Sequence, residues 1–158
     1  MRDNPGLNEA NIAACLTIHY DLQVASLRFL PIGYDLNAAV YDVTAHDGTH
    51  YFLKIRSGPV HEPGLLVPSA LTDLGIPNIL APLRTRSSAL WCSFDGYSVV
   101  LHPFINGDNA TTAGLSADQW RAFGATLRAV HDSDLAARFR DLVRRETFAL
   151  PSAALVRR

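Results

Sequence analysis

His50-Tyr51-Phe52-Leu53-Lys54-Ile55-Arg56 is the stretch that decides how this chain reads. Its aromatic and branched residues suit a pleated, half-buried strand. It also holds the only lysine of the chain, so that thirteen of the 14 Lys and Arg residues are arginine. A compact ammonium on a flexible stem, used once and set in an apolar strand, points to a task that a guanidinium does not do equally well; contact with phosphate oxygens is the obvious candidate. Side chains alternate along a strand, so Phe52 and Lys54 share one face.

Outward from this segment, residues 26–32, 38–45 and 49–56 read as three antiparallel strands. Gly33-Tyr34-Asp35-Leu36-Asn37 joins the first pair, and His46-Asp47-Gly48 joins the second as an Asp-Gly hairpin. Ahead of them Ile12, Leu16 and Tyr20 recur every fourth residue behind Asn8, a candidate cap, and predict an amphipathic helix over 8–20. A short helix is expected over 65–74, irregular at Pro68 and stopped by Gly75 and Pro77. Residues 79–85 are a strand candidate, and 89–94 pairs with 97–104 around Asp95-Gly96.

From 105 to 115 the composition turns polar and glycine-bearing, as in a linker. Ser116 and Gln119 then form a capping box, and Trp120, Phe123, Leu127 and Val130 mark one face of a helix running to about His131. A further helix is expected over 135–145. Trp91 and Trp120 read as core anchors. The fold class is α+β, a five-stranded antiparallel sheet plus helix, followed by further helices.

Composition narrows the function classes. At 48% hydrophobic and 18% charged residues the chain is globular. A net charge of -1 argues against a nucleic-acid partner. The basic cluster Arg138, Arg140, Arg144, Arg145, Arg157 and Arg158 is interrupted by Asp141 and Glu146 and reads as a solvated helix face. No apolar run approaches the roughly 20 residues of a membrane span, and the start of the chain lacks a signal-peptide pattern, so a cytoplasmic location is expected. Cys15 and Cys92 lie far apart in apolar surroundings, which suggests buried thiols rather than a disulfide, and neither belongs to a zinc spacing. His46 and His50 flank a turn, but two ligands do not make a zinc site.

Helix, three strands with a lysine on the third, helix, two strands, linker, helix resembles the small lobe of protein-kinase-like phosphotransferases and the start of their large lobe. Within that group the ordered segments Pro31 to Tyr41, Tyr51-Phe52-Leu53-Lys54, Leu74-Gly75-Ile76-Pro77, Leu101-His102-Pro103-Phe104-Ile105-Asn106-Gly107, Gln119-Trp120 through His131 and Arg144-Arg145-Glu146-Thr147-Phe148 resemble the aminoglycoside phosphotransferase family. The likeness spans nearly the whole chain, and its specificity lies in the ordered set. It implies a nucleotide-binding lobe over 1–104, a linker over 105–115, and over 116–158 the start of a C-terminal lobe truncated before its catalytic loop.

The resemblance also implies ATP as cofactor and a small-molecule hydroxyl as acceptor, with Mg2+ spanning the phosphates in an intact family member. Lys54 would contact the α- and β-phosphates. Phe52 would pack on the adenine ring, or is simply core. Gly33 to Asn37 would form the loop over the phosphates, although one glycine signals a backbone-amide cradle only weakly. Leu101, His102 and Pro103 fall where the family presents backbone N–H and C=O groups to the adenine edge. Pro103 has no N–H, so its neighbours must supply the donors.

Two departures stand against the family pattern. Kinase-like enzymes pair the lysine with a glutamate about fifteen residues on, where this chain has Ser69, Ala70 and Leu71. Glu62, the only glutamate between Lys54 and that helix, sits in a proline-flanked loop, so the ion pair is expected to be absent. The family's catalysis further needs a His-Gly-Asp loop, an Asn five residues after its Asp, and a magnesium-binding Asp. None of these occurs, and His131-Asp132-Ser133-Asp134 is a superficial lookalike at a helix end. The chain is thus expected to hold no catalytic or metal-binding residue and to be inactive alone. Helix faces near Phe123 and Phe139, without their usual cover, predict self-association. The alternative is a non-catalytic, pseudo-kinase-like binding module.

Overall fold

Period-two alternation divides each strand into a row that packs under a helix and a row that looks the other way. The computed structural model describes residues 4–33 and 35–143. In chain order these form α1 (Glu9–Tyr20), β1 (Val24–Leu30), β2 (Ala38–Ala45), β3 (His50–Ser57), α2 (Pro63–Asp73), β4 (Cys92–Phe94), β5 (Tyr97–Pro103), α3 (Ala110–Ala113), α4 (Ala117–His131) and α5 (Leu135–Arg138). The five strands make one antiparallel sheet in the order β1-β2-β3-β5-β4.

Helix α1 starts where the Asn8 side chain accepts the Asn11 N–H at 3.2 Å, and it ends at Asp21 in the left-handed region. Its Ile12, Cys15 and Leu16 pack on the inward row of the sheet, which comprises Ala39, Tyr41, Val43, Leu53, Ile55, Val99 and Leu101. Each large side chain buried there contributes roughly 1.5–3 kcal/mol relative to exposure. The turn between β4 and β5 places both Asp95 (φ 48°) and Gly96 (φ 79°) at positive φ, as a two-residue turn matched to strand twist requires. On the opposite row, Asp42 is buried and held by Arg28 at 2.7 Å and His50 at 2.9 Å. His50 is therefore tied to a carboxylate in its own sheet.

Several expectations are corrected. Strand β1 begins two residues earlier than 26–32 and stops at Leu30, because the chain then turns with Ile32 N–H bonded to the Leu30 carbonyl at 2.8 Å. Residues 79–85 are not a strand. Pro82 has no N–H to give a ladder, and contact with β5 reduces to the Leu83 N–H on the Leu101 carbonyl at 2.7 Å. Within 105–115 the chain forms the short α3, whose Thr111 N–H is accepted by the Asn109 side chain at 2.9 Å.

Helix α4 has the expected capping box, with both arms formed between Ser116 and Gln119. Of its apolar face, however, only Val130 packs, against the Ala70, Leu71, Leu135 and Phe139 cluster, while Trp120, Phe123 and Leu127 are exposed. Trp120 is 58% exposed and Phe123 56%, so Trp120 is no core anchor; the ring pair these two make is solvent-facing. Trp91 is half-buried. Phe139 departs in the other direction. It is buried with Ala70, Leu71 and Leu135 where α5 meets α2, so only the Phe123 face lacks cover. Helix α5 is one turn long rather than the expected 135–145. Residues 144–158, with Arg144, Arg145, Arg157 and Arg158 of the basic cluster, lie outside the described residues. No described helix is long and apolar enough to cross a membrane.

Candidate functional site

Because Leu53 and Ile55 point into the core, Phe52, Lys54 and Arg56 must point the opposite way. On that side Lys54 lies between Val40 of β2 and Val100 of β5, and Phe52 lies opposite His102. Two cavities adjoin this row. A cleft of about 340 Å³ is lined by Lys54, Arg56, Asp35, His61, Ser98 and His102, with Val60, Gly64, Leu65 and Val100 as its apolar wall. A slot of about 270 Å³ is lined by Phe52, Leu30, Ile32, Leu80, Pro103, Phe104 and Ile105. The slot is apolar and has Phe52 and Phe104 in its lining; the cleft has two cationic side chains, Lys54 and Arg56. Phe52 and Lys54 are two residues apart on one strand, roughly 7 Å, so slot and cleft are neighbours.

In the cleft, Lys54 Nζ is 3.4 Å from Asp35 Oδ2, and Arg56 Nε is 3.1 Å from the same oxygen. Asp35 also accepts the Asn37 N–H at 3.1 Å. Partial burial works to raise the Asp35 carboxyl, but the Asn37 N–H, Arg56 and Lys54 together outweigh it and hold it below the usual carboxylate range. Arg56 is further anchored by its Nη1 on the Pro59 carbonyl. His102 is held below the ordinary histidine value, first by burial and then by the nearby Lys54 charge, with a hydrogen bond to the Ala81 backbone opposing both. Its ring is edge-on to Phe52 with centroids 6.3 Å apart, and its Nδ1 has no hydrogen-bond partner among the described residues.

The structure brings together three of the six residues singled out from sequence: Phe52, Lys54 and His102. The other three stand apart. Gly33 adopts φ 92°, a conformation suited to glycine, but lines neither cavity. Asn37 lines a groove on the other side of the sheet with Leu7, Phe29 and Ile55. Leu101 turns its side chain into the core, and its carbonyl is taken by Leu83. Of the backbone that lines the slot, Pro103 has no N–H and Phe104 gives its N–H to the His50 carbonyl at 3.4 Å. Glu62 lines a separate 410 Å³ cavity with Arg84 and Trp91. Asp35, and no glutamate of α2, is the ion-pair partner of Lys54 among the described residues. His131 ends α4 and Asp132 pairs with Arg128 in the same helix, so that segment is a helix terminus.

Sequence reasoning missed Asp35, His61 and Ser98. Asp35 carried a signal, a carboxylate in the loop before β2, but a loop expected to hold phosphates gives no reason to look for an acid there. His61 and Ser98 reach the cleft only through the folding of α2 and β5 around Lys54.

No family model matches the chain, and no curated protein matches it. Solved structures do. The chain is similar to spectinomycin phosphotransferase APH(9)-Ia in complex with ADP and spectinomycin, with a TM-score of 0.85 and 26% identity over 96% of this chain and 46% of that one. It is also similar to the AMP-bound complex of the same enzyme, with a TM-score of 0.81, 23% identity and the same coverage. The segments quoted from the sequence resemble that enzyme as well. The fold is therefore a kinase-like small lobe followed by the first helices of its partner lobe, and the chain spans about half the length of these neighbours.

Proposed function

We propose that this chain is the nucleotide-binding part of an ATP-dependent phosphotransferase that acts on a small-molecule hydroxyl of the spectinomycin type. Residues 1–104 form the nucleotide lobe, 105–115 the junction and 116–158 the start of the acceptor lobe. One observation carries the reading: an apolar slot with Phe52 and Phe104 in its lining and a cationic cleft lie side by side along β3. A purine fits the slot between Phe52 and Leu80, and anionic phosphates fit against Lys54, with Arg56 behind it. ADP and AMP in the structural neighbours support a nucleotide as the ligand.

For phosphates to enter, the Asp35 carboxylate must give up Lys54. Mg2+ would supply charge neutralisation between phosphates, but the sequence has no Asp followed by Asn five residues on after His102 to hold it there. We therefore assign the chain binding without turnover. A cytoplasmic location accords with that ligand. Thermal-shift titration tests the reading. ADP and ATP should each raise the melting temperature, following the logarithm of free ligand concentration, while the same chain leaves spectinomycin unphosphorylated. Absence of any shift with both nucleotides would refute nucleotide binding; turnover would refute the assignment of an inactive chain.

The exposed Trp120 and Phe123 face of α4 favours a second reading, a non-catalytic module that docks another polypeptide. It predicts no nucleotide-dependent shift.

A further inference from the structure

On the far side of the sheet from the cleft, three metal-ligating side chains converge. Cys15 and His19 stand one turn apart on α1, and Cys92 opens β4, 77 residues from Cys15. Their Sγ and ring nitrogen atoms all lie within 4.8 Å of one another. Both sulfurs are buried, and they are 3.7 Å apart. A disulfide would need about 2.05 Å. Two thiolates bound to one zinc at about 2.3 Å and tetrahedral angles stand about 3.8 Å apart, so the sulfurs already span one edge of that tetrahedron.

We propose that Cys15, His19 and Cys92 form a site for a single thiophilic d10 cation, Zn2+ in the first instance, that ties α1 to β4. Charge balance favours it. Two thiolates and a divalent cation sum to zero, whereas a lone thiolate at this depth would be uncompensated. Tyr20, beside the site, donates its hydroxyl to the Val99 carbonyl at 3.3 Å. His19 is the half-buried member, so the fourth position opens on its side and takes a water or an added thiol. The backbone around it is pinned, with the His19 carbonyl accepting the Arg86 N–H at 2.7 Å.

Co2+ serves as the probe. The chain, reduced and stripped with a chelator, is titrated with Co2+ while absorption is followed. One equivalent should give thiolate-to-cobalt charge transfer in the near ultraviolet and the intense visible bands of tetrahedral cobalt, and one equivalent of Zn2+ should abolish both. Cys15→Ser and Cys92→Ser each leave one thiolate and should each lose at least half of the charge-transfer intensity. His19→Gln, which leaves the core untouched, should keep it but bind roughly tenfold or more weakly. A melting curve of each metal-free variant confirms that it is folded. No charge transfer from the folded parent, a weak octahedral spectrum, or unchanged affinity in His19→Gln would overturn the site. So would formation of a Cys15–Cys92 disulfide in place of metal uptake.

Discussion

Asp35→Asn is the most informative single change in the cleft. Asparagine keeps an oxygen for the Asn37 N–H but removes the charge that now faces Lys54 at 3.4 Å and Arg56 at 3.1 Å. Two unit charges at 4 Å interact with about 4 kcal/mol at an effective dielectric of about 20. The Lys54 and Asp35 side chains are 38% and 34% exposed, however, so water screens most of this. The pair falls in the range of about 0–1 kcal/mol measured for exposed ion pairs. Opening it precedes phosphate binding, and a retained carboxylate would then repel the phosphates by a similar amount. Taken together, about 1 kcal/mol opposes the nucleotide, and Asp35→Asn should bind ADP roughly fivefold more tightly. Folding stability should fall by less than about 1 kcal/mol. Isothermal titration calorimetry at low and moderate salt reads the effect, and the gain should shrink as salt screens the charges. If Asp35→Asn folds but binds ADP as the parent does, or more weakly, Asp35 does not compete with phosphate and the picture of the cleft is wrong.

Three further outcomes follow from the structure. Tyr41 is fully buried, and its hydroxyl has no hydrogen-bond partner among the described residues; Tyr41→Phe should therefore stabilise the chain by about 1 kcal/mol in urea unfolding. His102 has a pKa below its ordinary 6.5 in the fold, so below that pH the unfolded chain binds more protons and stability is lost as pH falls. Denaturation near neutrality and about one pH unit below 6.5 should show that loss, and His102→Gln should diminish it. Trp120→Gln should change stability by less than about 0.5 kcal/mol, because the side chain is 58% exposed, and should lower the sedimentation coefficient if the α4 face mediates self-association.

What could be read from the sequence was what local chemistry dictates. Alternation along β3 gave the shared face of Phe52 and Lys54 because strand geometry alone sets it. Asp95-Gly96 and the Ser116-Gln119 box are likewise local, and each forms as expected. Pro82 was an available warning against a strand at 79–85 that apolar content outweighed. The rest depends on tertiary placement. Asp35 reaches Lys54 only once β2 and β3 pair, and Cys15 reaches Cys92 only once α1 lies over the sheet. An amphipathic pattern identifies the apolar face of α4, yet it does not say whether anything covers that face. Phe139 shows the converse, since it is buried by α2, which precedes it by nearly half the chain.

The account rests on Lys54 as a phosphate-binding group, and calorimetric titration of ADP into the parent and into Lys54→Ala tests this most directly. Loss of one charge-assisted contact of about 1.5–3 kcal/mol should weaken ADP roughly tenfold to a hundredfold. Adenosine, which lacks phosphates, should bind both chains alike. Equal ADP affinity for the two folded chains would contradict the account.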